Sequence, residues 1–180
     1  HSFPTRRSSD LINVTGLAEL KTLDPGDVDG IGLMRTEFLY LGRPDLPTED
    51  EQYEAYRAVV QAMQGLPVTI RTIDIGADKT LDAAHPSAQQ QAAHLNPAMG
   101  LRAIRWCLAE PAMFQTQLRA LLRAAVHGRI EVLIPMLAHE SEIKQCMLHI
   151  DRARLQLDAK AVPYGDISVG AMIEVPAAAL

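Results

Sequence analysis

Short apolar runs alternate along this chain with longer segments of helical periodicity. The runs predict four strands, at about residues 30–35, 68–74, 130–137 and 167–175, because each is bounded by Gly, Pro or polar residues typical of turns. Between them, apolar side chains recur at three- and four-residue steps, which indicates amphipathic helices. The alternation of strands and helices predicts an α/β protein with a parallel sheet and right-handed crossovers.

Three of the four predicted helices have a recognisable start, and all four have an apolar stripe. Thr48 and Glu51 have the spacing of a capping box, Asn96 and Pro97 suit a helix start, and Pro111 begins another helix. The residues predicted to be buried are Tyr53, Tyr56, Val60 and Met63 in the first helix; Leu101, Ile104 and Leu108 in the second; Phe114, Leu118, Leu121, Leu122 and Val126 in the third; and Ile143, Cys146, Met147, Ile150 and Leu155 in the fourth, at 139–158.

Two architectures share this order of elements: half of a (β/α)₈ barrel and an open doubly wound sheet. No G-x-G-x-x-G follows any strand, which weighs against a dinucleotide-binding sheet. Residues 1–11 are polar and aperiodic, so we interpret them as a disordered or non-native tail and place the domain at 12–180. The long polar segment 75–95 predicts a functional or mobile loop. The stop directly after a strand indicates a fragment.

Composition, net charge and cysteine content limit the classes of protein to which the chain can belong. The chain is 48% hydrophobic and 22% charged, which is ordinary for a globular domain. A net charge of -5 gives no electrostatic case for nucleic acid or an anionic membrane, and no apolar stretch is long enough to predict membrane insertion. The two cysteines, Cys107 and Cys146, lie in helical patterns beside apolar residues. This favours free thiols and a cytoplasmic location.

Charged residues end three of the four predicted strands: Arg35, Arg71 and Glu174. Ligands bind at the carboxyl edge of parallel sheets, and the planar guanidinium fork suits a phosphate or carboxylate. Glu174 could supply a hard oxygen ligand for Mg²⁺, completed by substrate and water. This combination suggests a phosphorylated carboxylic acid as substrate. The alternative for each residue alone is an ordinary salt bridge at the rim of the sheet.

Other charged residues near these strand ends are candidates of a second rank. Asp74 and Lys79 follow the second strand and could orient Arg71 or contact substrate, although solvation in a loop explains them equally well. Arg102 lies early on the helix predicted to start at Asn96. Arg105, one turn later, is better explained by a solvated helix face.

Several long segments together resemble one known family. GIGLMRTEFLYLGRPDLPTEDEQYEAY, IRTIDIGADK, NPAMGLRAIR, IPML and MIEVPAAA occur in the order and at the spacing found in enzyme I of the bacterial sugar phosphotransferase system, the phosphoenolpyruvate–protein phosphotransferases. The resemblance covers about residues 12–180. It implies a partial (β/α)₈ TIM barrel made of the first four strand–helix units of the phosphoenolpyruvate-binding barrel.

The resemblance also implies roles for individual residues. Arg35 and Arg71 would bind the substrate phosphate, Arg102 would support them, and Glu174 would be one of two Mg²⁺ ligands. Such an enzyme moves the phosphoryl group of phosphoenolpyruvate to a histidine of a separate domain and releases pyruvate. A histidine-containing phosphocarrier protein then receives the group during sugar uptake. The intact enzyme is expected to be a homodimer.

The chain departs from the family pattern in ways that affect activity. No counterpart of the phosphorylated histidine, the second metal ligand or the cysteine that protonates the enolate lies within it. The resemblance therefore implies no catalytic residue in this chain and predicts that it is inactive alone. Two alternatives stay open. One is a related enzyme, pyruvate phosphate dikinase or phosphoenolpyruvate synthase, and the other is a non-catalytic regulatory module that binds phosphoenolpyruvate.

Overall fold

A five-stranded parallel sheet organises the described part of the chain, with its strands in sequence order. The computed structural model describes residues 9–75 and 103–174. The strands are β1 (Leu11–Val14), β2 (Gly30–Met34), β3 (Val68–Arg71), β4 (Ile130–Ile134) and β5 (Ile167–Ala171). The helices are α1 (Glu49–Ala62), α2 (Ile104–Ala109), α3 (Pro111–Ala124) and α4 (Glu140–Ala159), with short 3₁₀ helices at Leu17–Thr22, Pro25–Asp27, Glu37–Leu39 and Ala125–His127.

The strand order distinguishes the two architectures left open by the sequence. A doubly wound sheet reverses its strand order at a switch point, whereas neighbouring strands of a barrel follow one another in sequence. Here β1 to β5 are neighbours in turn without a reversal. The sheet is therefore that of a partial (β/α)₈ barrel, as predicted.

One face of the sheet forms the core with the helices. Alternate residues of β3 and β4, such as Ile70 and Val132, are at most 1% exposed and join the buried side chains of α1 and α3. The intervening residues, such as Thr69 and Glu131, are half-buried and lie on the opposite face, where their side chains are 3.3 Å apart. The apolar composition of residues 130–137 is typical of a strand that is covered on both faces. In the described chain its second face is only partly covered.

Helix α3 lies between α1 and α4 and contacts both. Its side chains Phe114 and Leu118 are fully buried, and burial of such a side chain contributes about 1.5–3 kcal/mol. Glu49 at the start of α1 bonds Arg119 at 2.6 Å and Arg123 at 2.7 Å. Burial alone would raise the pKa of Glu49, but these arginines outweigh it and lower that pKa. Ion pairs thus hold α1 and α3 together in addition to the contacts of their buried side chains.

The predicted start of α1 is confirmed. The Thr48 hydroxyl accepts a hydrogen bond from the Glu51 backbone N–H at 3.2 Å, and the Glu51 carboxylate accepts one from the Thr48 backbone N–H at 2.7 Å. Two backbone donors at the helix start are satisfied in this way. The predicted free state of Cys107 and Cys146 is also confirmed, and both are buried.

The number and length of the strands differ from the prediction. Strand β1 was missed, and Leu11, assigned to the tail, is its first residue. Four residues carry little periodicity of their own, and β1 is a strand because it pairs with β2. The four predicted strands are present but end earlier, because pairing stops before the apolar run does. Met136, after β4, has a φ of 58°, which no strand residue adopts.

Four residues predicted to be buried are exposed. They are Val126 (52%), Ile143 (45%), Met147 (41%) and Leu155 (67%). Val126 lies in the 3₁₀ helix after α3, where the periodicity changes. In α4 the buried stripe is Glu142, Cys146, Ile150, Ala153 and Leu157. The sequence prediction wrongly added exposed residues beside this stripe. No helix within residues 9–75 and 103–174 is long and apolar enough to cross a membrane.

Candidate functional site

The two arginines predicted at strand ends lie side by side at the carboxyl edge of the sheet. Met34 of β2 pairs with Ile70 of β3, so the next residues, Arg35 and Arg71, are neighbours across strands that run about 4.8 Å apart. Both line one open cavity of about 290 Å³ together with Thr15, Glu37, Phe38, Leu41 and Asp74. This volume is at the small end of the range for ligand sites, about 300–1,000 Å³, and suits a small metabolite.

Arg71 is held by two carboxylates. Its Nη2 lies 2.8 Å from Glu37 Oε1 and its Nη1 lies 3.2 Å from Asp74 Oδ2. Glu37 Oε1 also accepts a hydrogen bond from the Asp74 backbone N–H at 3.1 Å. Asp74 therefore orients Arg71, one of the two roles considered for it. Arg71 Nε and Glu37 Oε2 are buried without a hydrogen-bond partner in the described chain, so this pair retains unused polar groups at the site.

Arg35 is presented differently. Its backbone N–H donates to the Val14 carbonyl at 3.0 Å, which continues the β1–β2 ladder, while its side chain is exposed. Within residues 9–75 and 103–174 it forms no ion pair. The positive charge of Arg71 is balanced by Glu37 and Asp74. The site thus combines one fixed guanidinium with one that can move toward an anion.

Glu174 lies at the same edge, on the other side of β4. β5 ends at Ala171, so Glu174 follows the strand by three residues instead of ending it as predicted. Its Oε1 accepts a hydrogen bond from the Met136 backbone N–H at 2.7 Å, in the turn after β4. Two strand spacings, about 10 Å, separate the backbones of β3 and β5.

The described residues match Mg²⁺ chemistry only in part. Glu174 offers one carboxylate, and Mg²⁺ is commonly bound by one or two carboxylates, with substrate and water as the other ligands. Among residues 9–75 and 103–174 there is no group of three or more His, Cys, Asp or Glu side chains that could hold a metal ion. Among the described residues, Glu174 could therefore supply one carboxylate ligand to such an ion.

Of three other charged residues discussed from the sequence, the structure describes only Arg105. Arg102 and Lys79 lie outside the described residues. Arg105, predicted on a solvated face, is only half-exposed, and its Nε lies 3.7 Å from Glu142 Oε1 at the start of α4. That contact joins α2 to α4 and gives Arg105 a structural position.

The sequence interpretation missed two buried polar residues that support the arginines. Glu37 is 8% exposed and holds Arg71, and Gln117 in the middle of α3 is fully buried. Glu37 follows Arg35 by two residues in an otherwise apolar segment, and Gln117 interrupts the apolar stripe of α3. Buried polar groups need partners, so a polar residue at an apolar position was the available signal.

Comparisons with known proteins identify the family of the chain. The family model for PEP-utilising enzymes, PEP-binding domain, matches residues 5–180. The chain is 60% identical over 153 residues to a phosphoenolpyruvate-protein phosphotransferase of Cupriavidus necator, covering 84% of this chain and 26% of that protein. It is 45% identical over 171 residues to that of Lactococcus lactis, covering 93% of this chain and 29% of that protein.

The chain thus spans between a quarter and a third of the length of the relatives it matches. The match to the PEP-binding domain runs through both arginine-bearing strand ends and through Glu174. The chain belongs to the family of PEP-utilising enzymes and corresponds to their PEP-binding domain.

Proposed function

We propose that the protein carrying this chain is a phosphotransferase that moves the phosphoryl group of phosphoenolpyruvate to a histidine and releases pyruvate. The observation that carries the proposal is the pairing of Arg35 and Arg71 in one small cavity at the carboxyl edge of the sheet. A guanidinium binds phosphate in a planar, bidentate way. The names of the relatives, phosphoenolpyruvate-protein phosphotransferases, support the same substrate and a phosphotransferase reaction.

In this reaction the bond between phosphorus and the enol oxygen breaks, and a bond forms between phosphorus and an imidazole nitrogen of the acceptor. The enolate leaves with the electron pair and takes up a proton at carbon to give pyruvate. The acceptor histidine belongs to another part of the protein. Phosphoryl transfer depends on positioning and charge stabilisation, and that is what the two arginines provide.

The arginines have different tasks in this proposal. Arg71 is fixed by Glu37 and Asp74, and it offers its remaining N–H groups to the phosphate at a set position. Arg35 is exposed and follows the phosphate as negative charge shifts during transfer. Arg102 and Lys79 are proposed as further contacts to substrate.

Mg²⁺, when bound, would neutralise charge on the substrate oxygens. Glu174 is the residue proposed to hold it. The hydrogen bond from the Met136 backbone N–H to Glu174 Oε1 orients that carboxylate toward the edge of the sheet. A second ligand would come from outside the described residues.

The remaining functional assignments follow from the same proposal. The phosphohistidine passes its phosphoryl group to a histidine-containing phosphocarrier protein in sugar uptake, and the intact enzyme is a homodimer. The free, buried thiols of Cys107 and Cys146 suit a reducing, cytoplasmic setting. Because the acceptor histidine lies in another part of the protein, the 180-residue chain alone does not turn over.

The test is phosphoryl transfer from labelled phosphoenolpyruvate in the full-length protein with Mg²⁺. Arg71→Lys keeps the charge beside Glu37 and Asp74 but loses the planar fork. We expect a drop in kcat/KM of about 10- to 150-fold, the equivalent of one charged hydrogen bond of about 1.5–3 kcal/mol. Arg71→Ala should lose most transfer while the fold survives.

Arg129→Ala is the matched control, since Arg129 is an exposed arginine before β4, at the opposite end of the sheet. We expect it to transfer at the rate of the unmodified protein. Equal activity of the Arg71 and Arg129 variants would remove Arg71 from the site. Phosphoenolpyruvate binding without any transfer by the full-length protein would favour the regulatory-module alternative.

A further inference from the structure

We infer that Gln117 of α3 is a positioning residue that holds the two arginine-bearing strand ends together through Thr36 and Ile73. The inference deepens the proposed function and rests on it for its activity measurement. Gln117 is fully buried, and both ends of its side-chain amide are bonded. Neither Gln117 nor Thr36 is placed to touch substrate, so both act through Arg71.

The contacts of Gln117 reach both strand ends at once. Its Oε1 accepts a hydrogen bond from the Ile73 backbone N–H at 3.2 Å, two residues after Arg71. Its Nε2 donates to Thr36 Oγ1 at 3.3 Å, one residue after Arg35. Thr36 Oγ1 in turn donates to the Arg71 carbonyl at 3.0 Å. One side chain therefore sets the spacing of the segments that carry both arginines.

The direction of every hydrogen bond in this network is fixed by backbone groups at its ends. The Ile73 N–H can only donate, so it faces Gln117 Oε1, and the Arg71 carbonyl can only accept, so Thr36 donates to it. Gln117 Nε2 has a second hydrogen, which it donates to Tyr56 OH at 3.1 Å. No alternative orientation of the Gln117 amide satisfies these three partners.

The network continues into α1 and the segment before it. Tyr56 OH donates to Gln52 Oε1 at 3.1 Å, Tyr40 OH donates to the same oxygen at 3.0 Å, and Gln52 Nε2 donates to the Pro47 carbonyl at 3.1 Å. Burial raises the pKa of both tyrosines, so they stay protonated and remain donors. Gln117 is thus anchored in the rigid core, which a residue needs if it is to position others.

Each site arginine is followed by a threonine, in Arg35-Thr36 and in Arg71-Thr72. The two threonines have different hydrogen bonds, and this supplies a matched control. Thr36 and Thr72 are both fully buried after a site arginine. Thr36 bridges the two strand ends, whereas Thr72 Oγ1 has no hydrogen-bond partner in the described chain. Valine has nearly the same shape as threonine, so replacement of either threonine by valine removes only a buried hydroxyl. Only at Thr36 does that hydroxyl bridge the two strand ends.

A second control lies in the same helix. Gln115 is 4% exposed, and its Nε2 bonds His149 Nδ1 at 2.8 Å and the His149 carbonyl at 2.9 Å, on the side of α3 that faces α4. Gln115→Leu and Gln117→Leu therefore each remove a buried amide from α3. They differ in whether the amide bonds the segments that follow Arg35 and Arg71, which only the Gln117 amide does.

The experiment compares these variants in the full-length protein by phosphoryl transfer from phosphoenolpyruvate and by hydrogen exchange. We expect Gln117→Leu and Thr36→Val to lose kcat/KM roughly tenfold to a hundredfold, as misplaced reacting groups do. Thr36→Ser, Thr72→Val and Gln115→Leu should stay near the unmodified protein. The double variant Thr36→Val with Gln117→Leu should lose no more than either single variant, because both break one bridge.

Hydrogen exchange tests the hydrogen bond between Gln117 and the Ile73 amide independently of phosphoryl transfer. The Ile73 amide should exchange faster in Gln117→Leu but not in Gln115→Leu. If the unmodified protein transfers no phosphoryl group, the proposed function fails, and the exchange of Ile73 still decides the role of Gln117. Unchanged exchange in Gln117→Leu, or equal losses of activity in the Gln115 and Gln117 variants, would overturn the inference. If Gln117→Leu does not fold, comparison of phosphoryl transfer by Thr36→Val and by Thr72→Val decides whether the bridge positions the arginines.

Discussion

Glu37 and Arg71 form an ion pair of 2.8 Å between the segments that follow β2 and β3, and their side chains are only 11% and 13% exposed. Exposed ion pairs contribute little, but a pair removed from water loses much when one partner is deleted, because the other charge stays buried. Glu37 also bonds the Asp74 backbone, so it fixes both the guanidinium and the turn after β3. The direction in which Arg71 faces the cavity therefore depends on Glu37.

Replacement of Glu37 tests this dependence. We expect Glu37→Ala to lower kcat/KM for phosphoryl transfer about 10- to 150-fold, the effect of one charged hydrogen bond of about 1.5–3 kcal/mol. Glu37→Gln keeps an acceptor for Arg71 and should lose less. Glu131→Ala, which removes a carboxylate bonded to exposed Arg129, is the control and should be neutral. Transfer by Glu37→Ala at the unmodified rate would contradict the prediction.

The capping box of α1 makes a local stability prediction. Thr48→Ala removes the acceptor for the Glu51 backbone N–H and should cost about 1 kcal/mol. Hydrogen exchange of the amides in the first turn of α1 measures this loss where it occurs. Thr48→Ser keeps the hydroxyl and should restore protection. Equal protection in the alanine and serine variants would show that the hydroxyl does not stabilise the helix start.

Two glycines differ sharply in the room around them. A Cβ on Gly165 would lie 2.6 Å from the backbone of Ala125, whereas one on Gly16 would meet nothing within 4 Å. Because backbone cannot move aside easily, Gly165→Ala should lower the free energy of unfolding by about 1–3 kcal/mol. Gly16→Ala should change it by less than about 0.5 kcal/mol. Urea unfolding of the chain followed by circular dichroism measures both, and equal midpoints would contradict the prediction.

His149 makes the stability of the chain sensitive to pH. Burial, with a smaller effect of Arg152, lowers its pKa below the ordinary value of 6.5. The contact of Gln115 Nε2 with His149 Nδ1 agrees with this, because an amide N–H needs a neutral, accepting ring nitrogen. The unfolded chain therefore binds a proton at His149 before the folded chain does.

The sign of the pH effect follows from this order of protonation. As pH falls below about 6.5 the unfolded state gains protons first, so the free energy of unfolding decreases until the folded pKa is also passed. Unfolding by urea at a series of pH values should show a weaker decrease in His149→Gln than in the unmodified chain. Identical slopes in the two proteins would mean that His149 contributes nothing to the acid sensitivity.

The sequence by itself determined the elements that depend on local pattern. The apolar runs located four of the five described strands, Thr48 and Glu51 located the start of α1, and the arginines at strand ends located the edge of the sheet where the site lies. These predictions succeeded because periodicity, capping and strand ends are encoded by residues near one another in sequence. The exposed flank of α4 was mispredicted because apolar residues on two sides of a helix do not reveal which side is covered.

Only the tertiary structure decided what holds the arginines. Glu37 is 34 residues from Arg71, Gln117 is 81 residues from Thr36, and strand β1 exists through its pairing with β2. Such contacts join residues that no local pattern relates, and they form because a buried charge or amide must find a partner within the fold. The sequence therefore located Arg35 and Arg71, and the packing of α3 and of the loops against the sheet decided how they are held.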